Sequence, residues 1–125
     1  MIEVAEKKYI LIAGSRDFND YKTAESYIDM CISNIRKKYE ITVISGGARG
    51  ADSIGEQYAN KNGFAIKRYL PDWERYGKAA GPRRNKAMVE KADYIICFWN
   101  GESRGTDSTV KYAKLFGKPL RIKYI

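Results

Sequence analysis

Short apolar runs alternate along this chain with amphipathic stretches, and three of the runs end in a loop that joins glycine or small residues to an arginine. Tyr9-Ile10-Leu11-Ile12-Ala13 leads into Gly14-Ser15-Arg16-Asp17-Phe18, and Ile41-Thr42-Val43-Ile44 leads into Ser45-Gly46-Gly47-Ala48-Arg49-Gly50. Tyr94-Ile95-Ile96-Cys97-Phe98-Trp99 leads into Asn100-Gly101-Glu102-Ser103-Arg104-Gly105-Thr106-Asp107-Ser108-Thr109. Runs this short and this continuously apolar read as strands covered on both faces. Between them, Ala24, Ile28, Cys31, Ile32 and Ile35 form one apolar stripe on a helix expected over 21–39, with Asn19 or Asp20 as its cap.

A second helix is expected over 51–62, stopped by Gly63, followed by an alternating and therefore weaker strand over 65–69. An irregular connection rich in Trp, Tyr and Gly, 71–81, then leads to Pro82, which suits the first turn of a helix running to about Lys91. A last helix to about Phe116 and a strand over 120–124 complete the pattern. Strands joined by helical crossovers predict an α/β fold, a doubly wound parallel sheet of about five strands. With the order 3-2-1-4-5, the switch point falls between the first and fourth strands, and ligands of such sheets bind there, at the carboxyl ends. The three loops are then expected to converge.

The 125 residues, 44% of them hydrophobic, fit one domain spanning 1–125. A chain of that size buries roughly two-thirds of its unfolded surface, so it needs no disulfide or metal to fold. Cys31 and Cys97 follow no ligand spacing and the chain has no histidine, which argues against a disulfide framework and a zinc site. The N-terminal segment MIEVAEKKYILIAG carries acidic residues and only a five-residue apolar run, so neither a signal sequence nor a membrane span is expected, and a cytoplasmic location is. Twenty-three Lys and Arg against fifteen Asp and Glu give a net charge of +8, favouring anionic partners without choosing among them. The basic residues form no block of five, so a nucleic-acid-binding arm is not indicated.

At a loop before a helix, glycine admits close backbone approach, and the helix N-terminus offers free N–H groups and partial positive charge. Gly14, Ser15 and Arg16, then Ser45, Gly46, Gly47, Arg49 and Gly50, and finally Gly101, Arg104, Gly105 and Thr106 are therefore candidates for cradling a phosphate. The arginines offer a planar fork of donors that lysine lacks. For each loop alone, a tight turn with a solvated arginine explains the residues equally well; the convergence of three favours an anion site. SGGARG lacks G-x-G-x-x-G spacing and no P-loop pattern occurs, so a standard NAD site or P-loop ATPase is disfavoured and no cofactor is expected.

The series GSRDF, SGGARGAD, DWERYGKAAGPRRNKAM and SRGTDST resembles the DUF2493 or YspA-like family of the SLOG superfamily, over about residues 9–119. The resemblance implies a Rossmann-like domain that binds nucleotides or nucleotide-derived signals. It also implies distant kinship with the LOG phosphoribohydrolases and the DNA-processing protein DprA. In those hydrolases the site resembles R-K-x-x-M followed by P-G-G-x-G-T-x-x-E; here Arg84, Met88, Gly105 and Thr106 match, Asn85 replaces the lysine, and Thr109 stands where the glutamate would be. A neutral hydroxyl cannot serve as a carboxylate base.

Binding or sensing of a nucleotide-derived small molecule is thus the expected function. Arg84 is expected to hold phosphate, Asn85 a ribose or base edge, and Trp73, with Tyr76, to stack on a base. Two alternatives stand beside it. A nucleotide hydrolase would draw its acid–base group from Asp52 or Asp107, with Arg84 assisting, although both aspartates also suit a helix's first turn. Single-stranded DNA binding of the DprA kind would use the net charge and the aromatic residues. A ligand-binding module this small is further expected to sequester its ligand, to form homo-oligomers or to pass the ligand on, with no membrane partner.

Overall fold

A computed structural model describes residues 6–125. Its elements are β1 (Lys7–Gly14), α1 (Tyr21–Ile32), α2 (Ile35–Lys38), β2 (Glu40–Ser45), α3 (Ala51–Asn62), β3 (Ala65–Arg68), α4 (Trp73–Tyr76), a 3₁₀ turn (Gly77–Ala79), α5 (Ala80–Lys91), β4 (Tyr94–Trp99), α6 (Arg104–Leu115) and β5 (Leu120–Tyr124). The five strands form one parallel sheet in the order β3-β2-β1-β4-β5. This is the Rossmann-like, doubly wound arrangement that the alternation of strands and helices predicts.

The strand period of two distributes β1 between the two faces of the sheet. Ile10 and Ile12 pack with Ala24, Ile28 and Ile32 of α1 and with Ile54 and Tyr58 of α3. Leu11 and Ala13 pack with Met88 and Val89 of α5 and with Val110 and Ala113 of α6. Each large aliphatic side chain withdrawn from water in this way contributes roughly 1.5–3 kcal/mol. The alternating strand β3 is an edge strand with mostly exposed residues, which explains its weaker apolar signal. Among the described residues no helix is long and apolar enough to cross a membrane.

Three local expectations need correction. The helix expected over 21–39 breaks at Ser33 and Asn34 into α1 and α2, where the Ser33 hydroxyl donates to the Met30 carbonyl and so competes with the helical ladder. The connection 71–81 is not irregular: the Asp72 carboxylate accepts from the Arg75 N–H and caps α4. As a result α5 starts at Ala80, two residues before Pro82, and the proline still lies within its first turn. The third loop is shorter than its sequence suggests, because Ser103 caps α6 and the residues from Arg104 onward are helical.

Candidate functional site

At the carboxyl edge of the sheet, where the connections leaving the paired strands β1 and β4 turn to opposite faces, a cleft of about 60 Å³ opens between the ends of β1, α3, α5 and α6. Its wall contains Ala13, Gly14 and Arg16 from the first strand and loop, Ala48 and Asp52 from the second, and Gly105, Thr106 and Thr109 from α6. Arg84, Asn85 and Met88 close it from α5. The volume is roughly four to five times what one water needs, enough for a phosphoryl group or a few sugar atoms.

The entrance of each chain segment is set by glycine. A Cβ on Gly14 would lie 2.1 Å from the Phe98 carbonyl oxygen, so β1 and the end of β4 approach as closely as they do only without a side chain there. Gly50, with φ +76°, precedes α3, and its Cβ would meet the Ser15 and Arg16 carbonyl oxygens at 2.4 Å. The Ser15 N–H donates to the Phe98 carbonyl at 2.8 Å, and its own carbonyl accepts from the N–H groups of Phe18 and Ala51. Its hydroxyl oxygen accepts from the Asn100 N–H at 3.2 Å. Ser15 therefore ties the three loops together from beneath.

Arg84 is the inward-facing cation of the cleft. Its Nη1 donates to the Gly46 carbonyl at 2.7 Å and the Tyr69 carbonyl at 3.3 Å, and its Nε donates to Asn85 Oδ1 at 2.9 Å. It takes part in none of the ion pairs among the described residues. Burial lowers its pKa, the Asp52 charge partly restores it, and the Arg16 charge lowers it again. A half-buried guanidinium bonded to neutral carbonyls keeps its charge available to an incoming anion. Arg16, exposed at the rim, adds a second positive charge.

Asp52 is the inward-facing anion, with 8% of its surface exposed. Its Oδ2 accepts from the Ala48 N–H at 3.2 Å. Burial raises its pKa, against the lowering effects of the Ala48 hydrogen bond and the Arg84 charge. The position of Thr109, where the hydrolases' glutamate would stand, also faces the cleft. Its hydroxyl donates back to the Gly105 carbonyl at 3.3 Å, which Asn85 Nδ2 reaches at the same distance.

Of the remaining candidates, Ser45 is fully buried and occupied elsewhere: its hydroxyl donates to Glu56 at 2.7 Å and accepts from the Gly47 N–H. Gly46 and Gly47 form the backbone behind Arg84, with Gly47 against Leu70. Arg49 and Arg104 are exposed and do not line the cleft. Gly101 (φ +84°) serves a turn that Asn100 closes by accepting from the N–H groups of Glu102 and Ser103. Asp107 points away and pairs with Lys111 at 2.9 Å. Trp73 is 55% exposed and Tyr76 lies between Arg75 and Arg83; both are on the outer flap. Ala13 and Ala48 were not candidates, because nothing in an alanine's type signals a wall position.

A match to the YspA, cpYpsA-related SLOG family covers residues 9–76, more than half of the chain, and takes in the first two loops of the cleft. The chain belongs to this SLOG family. A relative of this SLOG chain, the Gene 61 protein of Mycobacterium phage D29, is 37% identical over 117 residues, covering 89% of this chain and 92% of that one. Two solved structures share the fold. The first, TM1055 from the Northeast Structural Genomics Consortium, matches at a TM-score of 0.63 and 19% identity, over 91% of this chain and 72% of that one. The second, DNA processing protein A (DprA) from Streptococcus pneumoniae, matches at a TM-score of 0.69 and 17% identity over 94% of this chain; the match spans half of DprA's length.

Proposed function

We propose that the cleft binds a nucleotide or nucleotide-derived ligand through its phosphoryl group and holds it without cleaving it. The observation that carries this reading is Arg84, a half-buried guanidinium fixed by two backbone carbonyls, unpaired with any carboxylate among the described residues, at the mouth where α3 and α6 begin. Helix N-termini and a forked arginine are the usual partners of phosphate oxygens. Membership of a SLOG family agrees with a nucleotide-related ligand. The cleft offers room for the phosphoryl group, and its open side leaves the rest of a nucleotide toward solvent.

A thermal-shift panel of mononucleotides, cyclic nucleotides, NAD, ADP-ribose and a short oligodeoxynucleotide tests it, since a ligand of the folded state alone raises Tm by mass action. The expected result is a rise with at least one free nucleotide that Arg84→Ala abolishes. No shift with any compound at millimolar concentration would end the reading, and a shift with the oligodeoxynucleotide alone would move the function to single-stranded DNA.

One observation favours hydrolysis as a second reading: the buried Asp52, its pKa raised, has the character of an acid–base group. Release of free base or phosphate during incubation with the panel, lost in Asp52→Asn, is the result that would establish it. Asp107 has no place in such a mechanism, given its position outside the cleft.

A further inference from the structure

The polarity of the cleft is mixed, and this limits its ligand. Arg16 and Arg84 call for acceptors, whereas a carboxylate is an acceptor itself and calls for a donor. Asp52 is more than nine-tenths buried as a residue, and the face of its carboxylate that remains open is turned to the cleft. The Ala48 N–H satisfies one oxygen, Oδ2; no side chain or backbone group among the described residues donates to the other. Neither oxygen pairs with Arg84, even though both side chains crowd the same glycine: a Cβ on Gly46 would lie 2.8 Å from Asp52 Oδ2 and 2.8 Å from Arg84 Nη1. Phosphate alone would place two anions in one small cleft. A ligand that carries a hydroxyl a short distance from its phosphate matches both ends of the wall.

We infer that Asp52 is a specificity-determining residue that accepts a hydrogen bond from a ribose hydroxyl of the ligand, so that the cleft selects ribose phosphates over deoxyribose phosphates and over inorganic phosphate. A purine or pyrimidine amino group is also a donor, but it lies farther from the phosphate of a nucleoside monophosphate than the ribose hydroxyls do, whereas Asp52 Oδ2 and Arg84 Nη1 both lie 2.8 Å from a single point, the Cβ position of Gly46. A ribose hydroxyl beside a phosphate matches that short separation, with the phosphate toward Arg84 and the hydroxyl toward Asp52. This inference rests on the phosphate-binding reading of the same cleft.

Calorimetric titration of the wild-type protein with AMP, 2′-deoxy-AMP, 3′-deoxy-AMP, ribose 5-phosphate and inorganic phosphate separates the two. The expected order has AMP and ribose 5-phosphate binding comparably, and at least one deoxy form weaker by about tenfold or more, as for the loss of one hydrogen bond to a charged acceptor. In Asp52→Asn, whose side-chain amide turns a donor toward the cleft, the ribose preference is expected to disappear and inorganic phosphate to bind more tightly. Equal affinity for AMP and both deoxy forms would overturn the inference while leaving the phosphate site in place. AMP binding with no binding of ribose 5-phosphate would also overturn it, by making the base the recognised group. Failure of every compound to bind would remove the phosphate reading and this inference together. The wild-type series decides the matter even where Asp52→Asn proves unstable.

Discussion

Arg84 and Asp52 both crowd Gly46, each 2.8 Å from where a Cβ would stand, and do not pair with each other. The charges stay separate because each is held by backbone. Arg84 donates to the carbonyls of Gly46 and Tyr69, and Asp52 accepts from the N–H of Ala48. The result is a cleft with a donor group and an acceptor group that both come close over a residue without a side chain.

Replacing Arg84 by lysine keeps the charge and removes the fork. One ammonium group cannot hold the Gly46 and Tyr69 carbonyls and Asn85 Oδ1 together in the same geometry. The expected cost in stability is about 1–2 kcal/mol, read from urea unfolding, with at least a tenfold loss of affinity for whichever phosphate ligand the panel identifies.

The glycines of the cleft are expected to differ in their tolerance of alanine. Gly14→Ala sets a Cβ against the backbone of Phe98, which cannot move without breaking the β1–β4 pairing, so a loss of about 3 kcal/mol or failure to fold is expected. Gly46→Ala meets only the ends of two side chains, which can swing aside. It should therefore fold with a loss of roughly 1 kcal/mol and bind phosphate ligands poorly. Thermal melts and ligand titrations of the two variants distinguish the cases.

Asp52 makes stability depend on pH. Burial raises its pKa above the ordinary 3.8, so the folded chain holds this proton more tightly than the unfolded chain does. The stabilising contribution is complete below 3.8 and is lost as pH rises through the higher folded value. Above that folded value the buried carboxylate destabilises the ligand-free protein. Asp52→Asn should accordingly raise Tm at pH 7, by about 3 °C, and the gain should vanish toward pH 3, as followed by circular dichroism.

Thr109→Glu would place an acidic residue where the resemblance to the LOG phosphoribohydrolases aligns their glutamate. The site is 2% exposed, and Thr109 already bonds to Gly105. A carboxylate there faces a cleft that already holds Asp52, so Tm is expected to fall by several degrees, on the order of 2 kcal/mol. Chromatography of nucleotides incubated with the variant would show whether free base is released; with two acids in so small a cleft, none is expected.

Much of the fold follows from local pattern. Continuous apolar runs with helices between them require parallel strands covered on both faces, and the handedness of the crossovers leaves few ways to order them. The spacing of Ala24, Ile28 and Ile32 marks the helix face that meets the sheet, and all three are buried. The break at Ser33 and the short helix capped by Asp72 escaped this reading, since each depends on a single side chain's choice between helix and turn.

At the cleft, sequence supplied residue types, and tertiary structure assigned their directions. Arg16, Arg49, Arg84 and Arg104 are alike as local patterns, but Arg84 is drawn inward by the carbonyl of Gly46, 38 positions earlier, whereas Arg49 and Arg104 face water. Ser45 looked like part of a phosphate loop and is instead held by Glu56. Asp52 and Asp107 both begin helices; only the first is turned toward the switch point, and burial there changes its titration. The chain's own pattern of polarity determines the strands, the helices and the edge of the sheet at which the cleft opens, because these depend on periods of two and 3.6 along the chain. Which charged groups face that cleft depends on hydrogen bonds between residues far apart in sequence, and only the folded structure decides those.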